Sequence, residues 1–337
     1  MMNEHLTMRA AVLEAYGAPF RLATIARPVA GAGEVLVRVA ASGVNPLDLK
    51  IREGAAAHAR HTPPAILGLD LAGKVVAAGP GVTRFRTGDD VFGMTGGVGG
   101  HQGSLAQYAA VNADLLALKP ANFSMREASV LPLVFTTAWE GLVDRMAVAA
   151  GQTVLVLGGA GGVGQMVIQI ARARGATVCA SGSASSKAAI EGLGASFIDR
   201  SEPVEAFVAR LTSGRGFDLV YDCVGSSSLD GAFAAVRRFG HVVSALGWGT
   251  HALAQLSFRA ASYSGVFTLL PLLTGEGRKH HGEILSEAAR MAEAGQLSPS
   301  LDSRRFTLDR LDEAYRLIAE GRARGKLSID LEAGAGL

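Results

Sequence analysis

The sequence predicts an α/β protein in which a doubly wound parallel sheet is inserted into a β-rich unit, and three observations carry that reading. Residues 8–120 alternate short apolar runs with Gly and Pro, as small β-rich units do. From about residue 126, strand-like runs alternate with helix-length amphipathic segments, the pattern of a parallel sheet with crossover helices. A glycine cluster, LGGAGGVGQ at 157–165, lies between the apolar run Thr153–Leu157 and a helix-like run from Met166. A chain of 337 residues exceeds what one core usually supports, so two domains are expected: 1–125 with 270–337, and 126–269.

Taken in order, the first part offers β-like runs at Val35–Val39, Gly73–Ala77, Asp90–Phe92 and Ala106–Val111. The second offers strands at Thr153–Leu157, Thr177–Ser181, Phe197–Asp199, Asp218–Cys223, Val242–Leu246 and Ser262–Thr268, with helices between most of them. After Pro271 the pattern gives helices at Gly282–Ala294 and Leu308–Ala319, then a short strand at Leu327–Leu331. Met146–Ala171 has no charged residue and is long enough to cross a bilayer. Its central glycines would each cost a spanning helix about 1 kcal/mol relative to Ala, so a buried strand, turn and helix are expected instead.

Composition narrows the function. A formal net charge of +2 with 18% charged residues gives no electrostatic footprint for nucleic acid. Basic clusters such as Arg304-Arg305 are interspersed with acids and read as solvated faces. Two cysteines, Cys179 and Cys223, exclude a disulfide framework and a four-cysteine zinc site, which fits a reducing, cytoplasmic setting. The first residues carry an acid and no long apolar stretch, so no leader peptide is expected.

Gly159, Gly161 and Gly164 satisfy G-x-G-x-x-G in the context its mechanism needs, after a strand and opening a helix. The first glycine permits the tight turn, the second lets backbone approach a pyrophosphate, and the third lets helix pack on strand. Gly162 and Val163 complete the turn, whose amides face anionic oxygens at the helix N-terminus. A Rossmann nucleotide-binding domain follows. About 20 residues on, where an acid would hold a ribose 2′-hydroxyl, there is none. Ser181, Lys187 and Arg200 would instead suit a 2′-phosphate, which favours NADP(H) over NAD(H). In such a sheet Cys179 and Cys223 lie on the strands flanking the first, about 10 Å apart and beyond disulfide reach.

Several further stretches belong together: Gly43–Asp48 (GVNPLD), Gly68–Gly73 (GLDLAG), Gly79–Val82 (GPGV), Gly88–Val91 (GDDV), Thr136–Trp139 (TTAW) and Gly325-Lys326. With the glycine turn, they resemble the medium-chain dehydrogenase/reductase superfamily over nearly the whole chain. The resemblance implies a Rossmann doubly wound sheet inserted in a GroES-like β-rich catalytic domain. Zinc members carry a Cys near the first stretch, a His-Glu pair in the second, and a Cys or Asp before the Thr-containing stretch. Asn45, Leu69-Asp70 and Leu133 stand there instead, and the cysteine-rich structural lobe is replaced by a glycine-rich loop at 92–104. No metal site is therefore expected.

What remains is similar to the zinc-free quinone oxidoreductase branch, whose members reduce quinones or enones with NADPH. Without a Lewis acid, an acceptor that is already electron-poor suits hydride transfer best. By resemblance, Asn45 lies beside the nicotinamide, Thr137 packs near its face, Ala245, Leu246, Gly247 and Phe267 hold the carboxamide, and Lys326 approaches the cofactor phosphates or caps the last helix. Asp48 anchors the Asn45 loop. Lys50 stands where several quinone reductases have Tyr, so Asn45, Lys50 and Thr137 are the candidate catalytic residues and no proton donor is firm. His58 and His61 are the nearest titratable alternatives, expected in an exposed loop. The substrate is expected in the cleft between the two domains. An enoyl-thioester reductase and a non-catalytic NADPH-binding sensor stand as alternatives. The apolar segment Ala261–Leu273 would leave a sheet edge open in a monomer, so a homodimer is expected.

Overall fold

The computed structural model describes residues 6–331 and divides into two compact units, Met1–Leu133 with Leu269–Leu337, and Val134–Thr268. The sequence placed the divisions at 125/126 and 269/270. Residues 126–133 instead belong with the first unit, because the helix Met125–Ser129 packs on its strands. Gly43 makes that packing possible: a Cβ there would stand 2.2 Å from the Ser129 carbonyl oxygen.

The first unit is β-rich. Thr7–Leu13 pairs antiparallel with Arg21–Ala26 and Ala65–Ile66 in a three-stranded sheet. The larger, seven-stranded sheet is built around Glu34–Val44, paired antiparallel with Asp70–Ala78, Tyr108–Asn112 and Leu327–Asp330. The expected β-runs at 35–39, 73–77 and 90–92 lie inside longer strands. One register positions the site: Leu327 faces Val44 and Asp70 faces Gly43, so residues remote in sequence converge at one strand end. The C-terminal helices are Arg278–Glu293 and Leu311–Ala319, the latter entered through a 3₁₀ turn at Leu308–Arg310.

The second unit is an all-parallel sheet of six strands: β1 (Thr153–Leu157), β2 (Thr177–Gly182), β3 (Ser196–Asp199), β4 (Phe217–Asp222), β5 (Val236–Ser244) and β6 (Ser262–Gly265). Their order, 3-2-1-4-5-6, is that of a doubly wound dinucleotide fold. Leu155, Val220 and Val242 from β1, β4 and β5 are fully buried, as strands covered on both faces require. Two strands end two or more residues earlier than expected. β5 stops at Ser244 and β6 at Gly265, so Ala245–Gly247 and Phe267 lie in the loops beyond rather than in the strands. Among the described residues no helix is long and apolar enough to cross a membrane.

Candidate functional site

At Gly159 and Gly164 the glycine turn is built by contacts that tolerate nothing larger. Gly158 has φ +82°, its N–H donates to Ser181 Oγ at 3.2 Å, and the Gly159 N–H donates to the Ser181 carbonyl at 2.8 Å. A Cβ on Gly164 would sit 2.3 Å from the Gly158 oxygen, so the helix Gly162–Ala173 closes on β1 only because that Cβ is absent. Gly161 is the helix N-cap and is exposed, with Gly162 and Val163 half-buried in the first turn. The N-terminus of this helix, at Gly161, borders a cavity of about 770 Å³.

That cavity is lined by Gly158, Ala160 and Gly161 from the turn, by Ser181 of β2, by Ser183 and Ser186 after β2, and by Arg200 after β3. Ser181 Oγ accepts from the Gly158 N–H of the turn. Lys187 does not line the cavity; its ammonium leans toward Glu191 at 3.9 Å at the start of a short helix, so of the two expected cations only Arg200 faces it. Two carboxylates that the linear reading missed also line it. Asp199 ends β3 opposite Gly182 of β2, and Glu202 follows it. Both are engaged: Asp199 accepts from Ser201 N–H and Oγ–H at 2.9 and 2.6 Å, and Glu202 accepts from Arg210 at 2.7 and 3.1 Å. The Ser201 bonds hold the Asp199 carboxyl below the usual carboxylate range.

Asp222, at the end of β4, is the hub of the next loops and was not singled out by sequence. It is fully buried and accepts from Gly225 N–H (3.0 Å), Ser228 Oγ (2.9 Å) and Ser244 Oγ (2.8 Å). Ser244 Oγ in turn accepts from Leu246 N–H at 3.0 Å, so one carboxylate fixes the Ala245-Leu246-Gly247 backbone. Asp222→Ala would leave these buried donors without a partner. The expected result is a loss of about 3–5 kcal/mol in stability, read by calorimetry, and weaker nucleotide binding in titration.

At the same edge of the sheet, Thr137 lies inside the helix Pro132–Trp139. Its carbonyl accepts from Tyr221 Oη at 2.6 Å, and its hydroxyl lies 3.1 Å from that of Thr268, which also contacts Glu140 Oε2 at 3.0 Å. Phe267 meets Trp248 edge to face, with centroids 6.2 Å apart.

In the first unit, the strand register gathers Asn45, Asp48, Asp70 and Lys326. Asn45 Nδ2 donates to Asp70 Oδ2 at 3.0 Å, and Asp70 Oδ1 accepts from Leu133 N–H at 2.9 Å. Asp48 accepts from Asn45 N–H at 2.8 Å, which anchors the loop. Lys326 Nζ donates to the Val44 carbonyl at 3.0 Å and to Asn45 Oδ1. Lys326 is a member of this cluster and does not cap the last helix, and the Asn45 side chain is fully buried with both its ends engaged. Burial pushes the Asp48 carboxyl up to about 7 and that of Asp70 up to about 6, and holds the Lys326 ammonium below its ordinary range.

Lys50 is exposed on the helix Pro46–Arg52 and takes no part in this cluster. His58 is exposed as expected, whereas His61 is buried, and that burial holds its imidazole below its ordinary range. The donor set does not fit zinc: an amide and a carboxylate already bonded to each other stand beside leucines, with no thiolate or imidazole among them. Among the described residues no group of three or more His, Cys, Asp and Glu side chains is placed to hold a metal ion.

Comparison with known proteins agrees with this architecture. Residues 31–121 match the alcohol dehydrogenase GroES-like domain, and residues 193–328 match the zinc-binding dehydrogenase family. The chain is 35% identical to 2-methylene-furan-3-one reductase of Solanum lycopersicum, over 88% of this chain and 71% of that protein. It is 33% identical to the chloroplastic NADPH-dependent alkenal/one oxidoreductase of Arabidopsis thaliana, over 88% and 72%. An alcohol dehydrogenase superfamily protein from Novosphingobium aromaticivorans superposes with a TM-score of 0.96 at 57% identity, over 97% of this chain and all of that one. The chain belongs to the medium-chain dehydrogenase/reductase superfamily. It is an oxidoreductase that uses a nicotinamide cofactor.

Proposed function

We propose that this protein is an NADPH-dependent, zinc-independent reductase of α,β-unsaturated carbonyl compounds or quinones. The observation that carries the reading is the Asn45–Asp70–Lys326 cluster, which fills with mutually satisfied groups the place where zinc members bind their metal. Without a Lewis acid, acceptors that are already electron-poor are favoured. When bound, the nicotinamide supplies the hydride. The chain's own residues hold it: the turn at Gly159, Gly161, Gly162, Val163 and Gly164 takes the pyrophosphate, and the backbone at Ala245, Leu246 and Gly247, with Phe267, takes the carboxamide. The names of the tomato and Arabidopsis relatives support an activated alkene as acceptor.

NADP(H) is preferred because Asp199 and Glu202 already have partners, which leaves the Arg200 guanidinium at the cavity to meet a 2′-phosphate. Arg200→Ala is expected to weaken NADPH binding at least about tenfold and leave NADH binding unchanged. Equal effects on both nucleotides would remove the preference. A homodimer through the edge strand β6 is part of the same reading, since β6 is paired only with β5 and exposes Tyr263. Two free cysteines fit a reducing, cytoplasmic setting.

The test is a stopped-flow record of NADPH absorbance with the metal-analysed protein against quinones, enones and enoyl thioesters. Fast oxidation with enones or quinones in zinc-free protein is the expected result. Preference for thioesters would shift the assignment to an enoyl-thioester reductase, and tight NADPH binding without turnover would make the protein a sensor.

A further inference from the structure

Residues 245–251 leave the carboxyl end of β5 as a strap that two carboxylates tie down, one at the end of β4 and one on the helix that follows it. The first tie is Asp222, which holds the Leu246 N–H through Ser244 Oγ. The last is Asp230, on the helix Ser227–Ala235, whose Oδ1 lies 2.9 Å from His251 Nδ1. Between the ties the strap meets two aromatic rings. Trp248 packs edge to face on Phe267, and a Cβ on Gly247 would lie 2.2 Å from Tyr263 Oη. Gly249, at φ +120°, takes a backbone conformation that other residues rarely adopt, and His251 follows it onto the helix.

His251 is the group that can change this arrangement. Its side chain is 11% exposed, its ring stands edge to face with Phe233 at 6.2 Å, and its Nε2 is closed to solvent with no hydrogen-bond partner. With the ring neutral, Nδ1–H donates to Asp230 and Nε2 is a buried lone pair that nothing donates to. A proton on Nε2 makes the ring a cation facing Asp230 from the helix and Asp222 from β4, with the Trp248 carbonyl as a further acceptor. The hydrogen bond to Asp230 is the strongest of these influences, and together they hold the imidazole above its ordinary range. The helix Ala254–Ser257, next in the chain, carries no titratable side chain. Asp230 is 55% exposed, so solvent screens the pair and keeps its effect modest.

We propose that Asp230 and His251 are positioning residues for the nicotinamide end of the cofactor: the pair clasps the far end of the strap, and the clasped strap holds NADPH more tightly than the loose one. This rests on the reading that the backbone at Ala245, Leu246 and Gly247 takes the carboxamide. The sign of its pH dependence follows from the raised imidazole. The clasp is charged at both ends below the ordinary histidine value of about 6.5, and it loses its cation as pH climbs through the higher value of the folded chain. NADPH affinity therefore declines as pH rises, and by reciprocity bound NADPH raises the His251 titration further.

The test is calorimetric titration of NADPH and of 2′-phospho-ADP-ribose, which lacks the nicotinamide, at pH 6, 7 and 8.5. The ratio of the two affinities isolates the nicotinamide end, because both ligands carry the same 2′-phosphate and pyrophosphate. In wild type the ratio should fall about fivefold over this range. Asp230→Asn and His251→Gln keep hydrogen-bonding side chains without the ion pair, and should hold the ratio near the wild-type pH 8.5 value throughout. The NMR titration of the His251 ring, assigned by its loss in His251→Gln, should move upward when NADPH is added. A wild-type ratio that favours NADPH but does not change with pH overturns the clasp and leaves the carboxamide seat standing. A variant that keeps the wild-type slope, or a His251 titration unmoved by NADPH, overturns it as well. The wild-type ratio alone decides if a variant fails to fold. Equal binding of the two ligands at every pH would overturn the carboxamide seat, and the clasp with it.

Discussion

Gly161→Ala is expected to fold and melt like the wild type yet bind NADPH at least about 100-fold more weakly, whereas Gly164→Ala should lose both stability and binding. The two glycines are three residues apart in one motif, but their surroundings differ. A Cβ on Gly161 meets only the Gly158 oxygen, at 3.4 Å, and its backbone, φ −73° and ψ 165°, suits any residue. The protein accommodates the methyl group. The ligand would not, because Gly161 lines the cavity and caps the helix whose amides face it. On Gly164 the same atom would lie 2.3 Å from the Gly158 oxygen and 2.8 Å from Gly159 Cα, both backbone atoms that cannot rotate away. Forcing helix from strand there should cost about 3 kcal/mol or more. NADPH fluorescence titration and a thermal melt on each variant separate the cases. Retained affinity in Gly161→Ala would mean that the turn is not the pyrophosphate cradle.

The contrast shows why the nucleotide-binding half was so legible in sequence. A turn between a buried strand and a helix is local: its glycines, apolar run and helix start all lie within Thr153–Ala173. The strand alternation is local as well, and with it came the expectation that the second and fourth strands flank the first, as they do in the order 3-2-1-4-5-6. Side chains whose meaning depends on that order were harder to see. Asp199 is remote from Ser181 in the chain, but β3 lies beside β2 and brings it to the same cavity. Asp222 looked like the end of an apolar strand, because nothing in its immediate neighbours predicts that Ser228 and Ser244 converge on it.

The first unit was read least well for the same reason. From its own neighbours alone Lys326 reads as a phosphate ligand or a helix cap. Its partner Asn45 is 281 positions away and is met because Leu327 pairs with Val44. His61 lies in a stretch rich in Pro and His that reads as exposed, yet tertiary packing buries it. The division at 125/126 fell short because the helix Met125–Ser129 resembles the helices of the parallel sheet but packs on Gly43. Local pattern identified the elements; which unit each one joins was decided by a close approach that no periodicity encodes.

Asp48 and Asp70 should make the chain less stable as pH rises from about 4 to about 7, and Asp48→Asn should remove much of that slope. In the unfolded chain both carboxyls have released their protons by the middle of this range. In the folded chain they hold them longer, Asp48 up to about 7 and Asp70 up to about 6, because burial disfavours the charge. The folded state then binds more protons than the unfolded one, so each added pH unit costs up to about 1.4 kcal/mol per carboxyl until the folded values are passed. Lys326, held below its ordinary range, acts in the opposite sense at higher pH, where its release of a proton relieves the buried charge. Asp48→Asn keeps the shape of the side chain without a charge to bury. It should match wild type at pH 5 and melt higher at pH 8. Lys326→Met should do the reverse at pH 8: it leaves two buried carboxylates without their cation and should cost about 3–5 kcal/mol there, but much less at pH 5, where they are protonated. Melts at four pH values between 5 and 8 test both signs. A flat wild-type profile, or equal losses for Lys326→Met at both ends, would mean that the carboxyls stay ionised throughout.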